Sequence, residues 1–301
     1  MEQPELTALE HVASRSNAST PNARKSVDDV TDENRPGLFV TTTIAITNQK
    51  GGVGKTTTAI NLAASLAAND VKVLLIDSDP QGNSTSGFGL QKTPGLLTTY
   101  DVLVNRLPVS SAIRPSGMDG LDIIPADKNL IGANFELVNI PDREIILRTQ
   151  LDEVRANYQF ILIDCPPALD LLTLNALMAA DSVLVPIQCE FFALEGVSEL
   201  MDTIDRVRES FDHPIRTEGI LLTMFDDRTN LTRQVAADLR EFFQEDVLKT
   251  VIPRNIRLAE APSHGKPVLL YDPASRGSES YIQLAKEILS NEQKRRAQGA
   301  R

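Results

Sequence analysis

The chain has 301 residues, 42% of them apolar and 24% charged, which is room for one large α/β domain or two small ones. No apolar run approaches the roughly 20 residues that span a bilayer, and the first residues lack the basic start and apolar core of a secretory signal. A net charge of −11 excludes a uniformly basic nucleic-acid binder but not a local basic face, because screening in physiological salt acts over about 8 Å.

Residues 1–40 are rich in Ser, Asn, Thr, Asp, Glu and Pro. They carry too little apolar surface to offset the entropy of ordering and are expected to be a disordered extension, with Leu6, Leu9 and Val12 able to form a turn or two of helix. Residues 41–290 then alternate strand and helix. Thr43–Thr47 is an apolar β-branched strand, followed by a helix over Thr58–Ala68. Strands are expected at Val71–Ile76, Leu121–Pro125, Phe160–Ile163, Ser182–Pro186 and Gly219–Thr223. Helices are expected at Arg143–Asn157, Leu171–Ala179, Leu194–Phe211, Leu231–Phe243 and Tyr281–Leu289. Residues 291–301 read as a polar, basic tail. Near-continuous apolar strands alternating with helices predict an α/β fold, a mostly parallel twisted sheet with helices on both faces. Ligands of such sheets sit at the carboxyl ends of the strands.

The chemistry gathers at those ends. Lys50-Gly51-Gly52-Val53-Gly54-Lys55-Thr56-Thr57 lies between the first strand and the first helix. Its glycines let backbone N–H groups curl around phosphate oxygens, and the helix start adds its positive dipole end. Lys55 is placed to reach the β- and γ-phosphates, and the Thr56 hydroxyl to bind Mg²⁺. The usual P-loop begins with Gly, where this chain has Gln49, and Lys50 follows as a second lysine. Lys50 stands too early to be the P-loop lysine and is placed to reach phosphate from outside, from the other subunit of a dimer. Three acids follow core strands: Asp77 and Asp79 after the second, Asp164 after Phe160–Ile163. Beside a P-loop these suit phosphoryl transfer, with Asp164 on the Mg²⁺ side, Asp79 orienting the attacking water, and Asp77 supporting the metal from behind. The two cysteines, Cys165 and Cys189, have no metal-ligand spacing, and His264 sits in a Pro/Gly-rich loop without a nucleophile beside it.

These motifs carry a family resemblance. Lys50 to Thr57 resembles the deviant Walker A box of the ParA/MinD ATPases, Asp77-Ser78-Asp79-Pro80-Gln81-Gly82-Asn83 their second box, and Ile163-Asp164-Cys165-Pro166-Pro167 their Walker B region. Glu190 to Gly196, Thr223-Met224-Phe225-Asp226 and Val251 to Pro267 are similar to the ParA/Soj chromosome-partitioning branch. The resemblance implies ATP and Mg²⁺ as cofactors, an ATP-bound homodimer with Lys50 acting across it, and Met224, Pro253, Arg254 and Asn255 at the nucleotide. It further implies non-specific binding of double-stranded DNA through Arg228 and Arg257, with Arg233, Lys249, Arg254 and Lys266 extending the patch. A ParB-type partner and a cytoplasmic, nucleoid-associated location complete that expectation. A MinD-like membrane ATPase would need a C-terminal helix with bulky apolar anchors, which Ser290 to Arg301 lacks. A ParA-like protein positioning a different cargo is the other alternative, and a cluster-binding iron protein would need more cysteines.

Overall fold

The computed structural model describes residues 40–299. The extension expected over residues 1–40 therefore lies outside the described residues, apart from Val40. Eight strands form one sheet among the described residues: β1 (Thr42–Ile46), β2 (Val73–Asp77), β3 (Arg114–Met118), β4 (Leu121–Ile124), β5 (Phe160–Asp164), β6 (Ser182–Gln188), β7 (Arg216–Phe225) and β8 (Val247–Pro253). Their order is β3-β4-β2-β5-β1-β6-β7-β8. All neighbours pair in parallel except β3, which lies antiparallel to β4 at the edge. The expected mostly parallel α/β architecture is what forms. Pro115 and Gly117 mask β3 in the sequence, and an edge is where a strand tolerates a residue that cannot donate to the ladder.

The period of two divides each inner strand between two cores. Ile44, Ile46, Val73, Leu75 and Leu162 pack on one face with helix Lys55–Ala67 and the C-terminal helix Arg276–Gly299. Ala45, Leu74, Ile76, Ile161 and Ile163 face the other side, under helices Leu171–Ala179, Ala193–Phe211 and Asn230–Phe243. Truncating one of these fully buried leucines or isoleucines to Ala would cost about 2–5 kcal/mol. β1 sits between β5 and β6, where the chain's progress across the sheet reverses. That crevice, outside the carboxyl ends of the strands, is where open α/β sheets bind ligands.

Two expected elements differ. The helix expected over Arg143–Asn157 is broken into a 3₁₀ turn Arg143–Ile145, a helix Ile146–Leu151 and a second 3₁₀ turn Arg155–Asn157. Asn175 intercepts its backbone: the Asn175 amide donates to the Arg143 carbonyl at 2.7 Å and accepts from the Leu147 N–H at 3.2 Å. At the other end, the last helix does not stop near residue 290 but runs to Gly299. Glu292 accepts from Thr42 Oγ1 at 2.8 Å, Arg295 Nη2 and Arg296 Nε at 2.9 Å each, and Arg216 Nη2 at 3.3 Å. Arg295 also grips the buried Glu218 of β7 with bonds of 2.7 and 2.9 Å. Glu292, Arg295 and Arg296, read in the sequence as part of a basic tail, thus form a charged latch across the beginnings of β1 and β7.

Candidate nucleotide site

The loop after β1 takes its shape from glycine. Gly52 and Gly54 hold φ of +75° and +93°, a left-handed backbone that side chains oppose. Gly54 is the N-cap of helix Lys55–Ala67, so the loop ends on free backbone N–H groups. Val53 is buried, and its carbonyl accepts from Thr223 Oγ1 at 2.7 Å, which ties the loop to β7. A Cβ at Gly51 would meet nothing in this chain. Lys55 is 7% exposed, and its Nζ donates back to the Lys50 carbonyl at 3.0 Å. Burial pulls its pKa down against the opposing pull of Asp164, Cys165 and Asp79.

Three carboxylates lie together beside it. Asp77 and Asp164 are register partners on β2 and β5, both fully buried. Asp77 Oδ2 accepts from the Thr85 N–H at 2.8 Å and Thr85 Oγ1 at 2.7 Å, while Oδ1 accepts from the Asp79 N–H at 3.2 Å. Burial nonetheless pushes Asp77 up to about 6. Asp164 Oδ2 accepts from Ser84 Oγ at 2.7 Å, and Oδ1 is buried without a partner. Burial and the charge of Asp77 push Asp164 up to about 8, against the hydroxyls of Ser84 and Thr56. Asp79 Oδ1 accepts from the Gln81 N–H at 2.9 Å.

A cavity of about 630 Å³ opens above the loop. Gly51, Gly52, Gly54, Lys55, Thr56, Thr57 and Asp79 line it on one side, and Met224, Pro253, Arg254 and Asn255 on the other. Sequence reasoning missed Thr223, Ile252, Leu258 and Tyr281, which also line the wall. Met224 holds φ of +48°, and Asn255 caps the helix Ile256–Glu260 by accepting from the Arg257 N–H. Asp77, Asp164 and Val53 lie behind the wall rather than on it. Lys50 is not among the residues that line the cavity and pairs with Glu190, which opens the segment bearing the exposed Phe191 and Phe192.

The two candidate DNA arginines stand outside the cavity. Arg228 is 83% exposed and clamps Asp226 with bonds of 2.8 and 2.6 Å, which holds that carboxyl down at about 2. It shares a cleft with Lys249 and Arg254, and with the acids Asp227 and Glu279. Arg257 pairs with Glu260 at 2.8 Å and Asp272 at 3.1 Å. Cys165 and Cys189 are free and buried, and no group of three or more metal-ligating side chains occurs among the described residues. Nor is any described helix long and apolar enough to cross a membrane.

Comparison with known proteins gives the same picture. The AAA domain family model matches residues 41–217. The sporulation initiation inhibitor protein Soj of Bacillus subtilis is 54% identical over 248 residues, 82% of this chain and 98% of its own length. The chromosome partitioning protein ParA of Caulobacter vibrioides is 53% identical over 259 residues, 85% of this chain and 97% of its own. Among solved structures, cobyrinic acid a,c-diamide synthase from Mycobacterium smegmatis, with bound ADP and magnesium, superposes with a TM-score of 0.72 at 34% identity, covering 83% of this chain and 94% of that one.

Proposed function

The chain belongs to the Soj/ParA family of chromosome-partitioning proteins, and from that premise we propose that it is a Mg²⁺-dependent ATPase whose ATP-bound dimer binds DNA without sequence preference. A ParB-type partner would stimulate hydrolysis and release, and the protein would work on the nucleoid in the cytoplasm. One observation carries the reading: a buried lysine and a glycine-shaped helix start face a cavity at the carboxyl ends of the strands, with Asp79 on its wall and Asp77 and Asp164 buried behind it.

The residues fit magnesium. Asp164 Oδ1 is an orphaned buried oxygen, and the Thr56 hydroxyl lies near enough to the same carboxylate to oppose the rise of its pKa. Hard oxygen donors, few of them from protein, suit a cation that is completed by phosphates and water. Thr56 and Asp164 would hold it, and when bound it would neutralise charge on the β- and γ-phosphates. Lys55 would leave the Lys50 carbonyl for those phosphates. The N–H groups from Gly52 to Thr57 would cradle them. Asp79 would orient the attacking water and accept its proton. Asp77 has both oxygens occupied by Thr85 and Asp79, so its role is to hold the Asp79 loop. Met224 and the Pro253–Asn255 segment would cover the base.

Lys50 would cross to the partner's phosphates, giving up Glu190 in doing so. The open space beside Gly51 leaves room for a second backbone to approach. Doubling Arg228 and Arg257 on one dimer surface would bring several phosphate contacts together, where one subunit alone offers few. Phosphate release with Mg²⁺, with EDTA, and with DNA plus a ParB-type partner tests the proposal. Hydrolysis that requires Mg²⁺ and rises with the partner supports it; hydrolysis indifferent to both contradicts it.

A further inference from the structure

The roles above leave out the short helix Asn83–Gly87, which follows directly on the Asp79 loop. Ser84 and Thr85 are both fully buried in its first turn. Ser84 donates to Asp164 at 2.7 Å, and Thr85 donates twice to Asp77. Thr85 Oγ1 also accepts from the Ala126 N–H at 2.8 Å, so the helix is pinned to the segment after β4. One helical turn therefore holds the two carboxylates that face each other on β2 and β5. With Oδ2 of Asp164 taken by Ser84, the unpartnered Oδ1 is the oxygen left for a cation. A carboxylate fixed at one oxygen cannot swing about its Cβ–Cγ bond, and loss of such an outer hydrogen bond typically weakens a metal site.

We propose that Ser84 is a positioning residue for the magnesium nucleotide. Its hydroxyl fixes the presentation of Asp164 and links it to the Asp79 loop five residues upstream. The link is short and stiff. Gln81 N–H and Gly82 N–H both fold back on Asp79, at 2.9 and 2.8 Å, and Ser86 N–H bonds the Gly82 carbonyl at 3.1 Å. Gly82 cannot be replaced cheaply, since its φ is +62° and a Cβ would fall 2.4 Å from the Ala126 carbonyl. Asp164 and the residue that orients water are thereby held in one fixed arrangement.

This inference rests on the magnesium-nucleotide reading of the site, and the test separates the two. Binding of a fluorescent ADP analogue is titrated against free Mg²⁺ for wild type and Ser84→Ala, and repeated in EDTA. Ser84→Ala is expected to raise the half-saturating Mg²⁺ concentration by about 10-fold or more. Its affinity in EDTA should stay within about twofold of wild type, which also certifies the fold, because Ser84 touches no phosphate-binding group. Ser84→Cys, of similar volume and a weaker donor, should move the same way by less and serves if the alanine variant is unstable. An unchanged Mg²⁺ requirement in a folded variant overturns the proposal and leaves Ser84 as a partner that only satisfies a buried carboxylate. A wild type whose affinity ignores Mg²⁺ overturns the metal reading itself.

Discussion

Replacing Glu292 by Gln should unlatch the C-terminal helix, and its cost can be worked from the structure. Burial raises the Glu292 pKa, but hydrogen bonds from Arg296, Thr42 and Arg295 outweigh it and hold the carboxyl at about 2, against an ordinary 4.5. At about 1.4 kcal/mol per tenfold change in proton affinity, that depression sets a ceiling of about 3 kcal/mol. The Glu292 side chain is only 12% exposed, whereas Arg296 is 43% exposed, so water screens part of the interaction. The expected loss at neutral pH is about 2 kcal/mol. A depressed acid stabilises the fold above its unfolded pKa and loses that contribution as pH falls through the folded value. The gap between wild type and Glu292→Gln should therefore close between pH 4.5 and about 2. Urea unfolding followed by circular dichroism across that range measures it. Equal stability at pH 7, or a gap that does not narrow on acidification, would refute the latch. The same helix carries Tyr281, which lines the nucleotide cavity and bonds Thr58 through their hydroxyls at 3.2 Å.

Lys55→Ala should weaken ATP binding at least about 30-fold, in line with losing a desolvated charge partner worth 2 kcal/mol or more, and abolish ATP-dependent dimerisation; calorimetry and light scattering check both. Asp79→Ala should trap an ATP-bound dimer that binds DNA but hydrolyses ATP at least about 100-fold more slowly, since general-base help contributes about that much; normal partner-stimulated phosphate release would sink the assignment. Lys50→Ala should leave monomeric ATP affinity within about threefold while weakening dimerisation and hydrolysis, because the side chain lies outside its own cavity and acts as an arginine finger does. Mixing it with a separately disabled subunit should restore some activity at composite sites, and failure to do so at any ratio would count against action across the dimer.

The phosphate loop was legible because its information is local: glycine spacing, a strand before and a helix after. The acids were legible for the same reason, as Asp77 and Asp164 end core strands and Asp79 follows two residues after the first of them. Their division of labour was not. Only the structure reveals that Thr85 and Asp79 occupy the Asp77 oxygens while one oxygen of Asp164 stays free. Tyr281, Thr223, Ile252 and Leu258 come to the cavity from β7, β8 and two later helices; the last three fall in segments that resemble the family, but nothing local singles them out as cavity wall. Tyr281 in particular reads as one more apolar residue of a helix. The Arg143–Asn157 pattern is helical by period, yet a single asparagine from a distant helix breaks it. The latch at Glu292 escaped notice because hydrophobic period is silent where a helix docks through charge. Arg228 and Arg257 were legible as basic residues beside acids, but only the structure shows that Arg257 and its partner Glu260 share one short helix.

The central claim is that nucleotide state controls DNA binding, and one measurement addresses it directly: retention on unrelated duplexes with ATP, ADP or no nucleotide, over a range of salt. The account predicts tight, sequence-independent binding with ATP alone, falling steeply with salt at about 0.9 in log–log slope per neutralised phosphate. Arg228→Ala or Arg257→Ala, each removing one contact per subunit, should lower that slope by about 1.8 per dimer while dimerisation persists. Binding that needs a particular sequence, or is the same with ADP and ATP, or ignores both arginines, would contradict it.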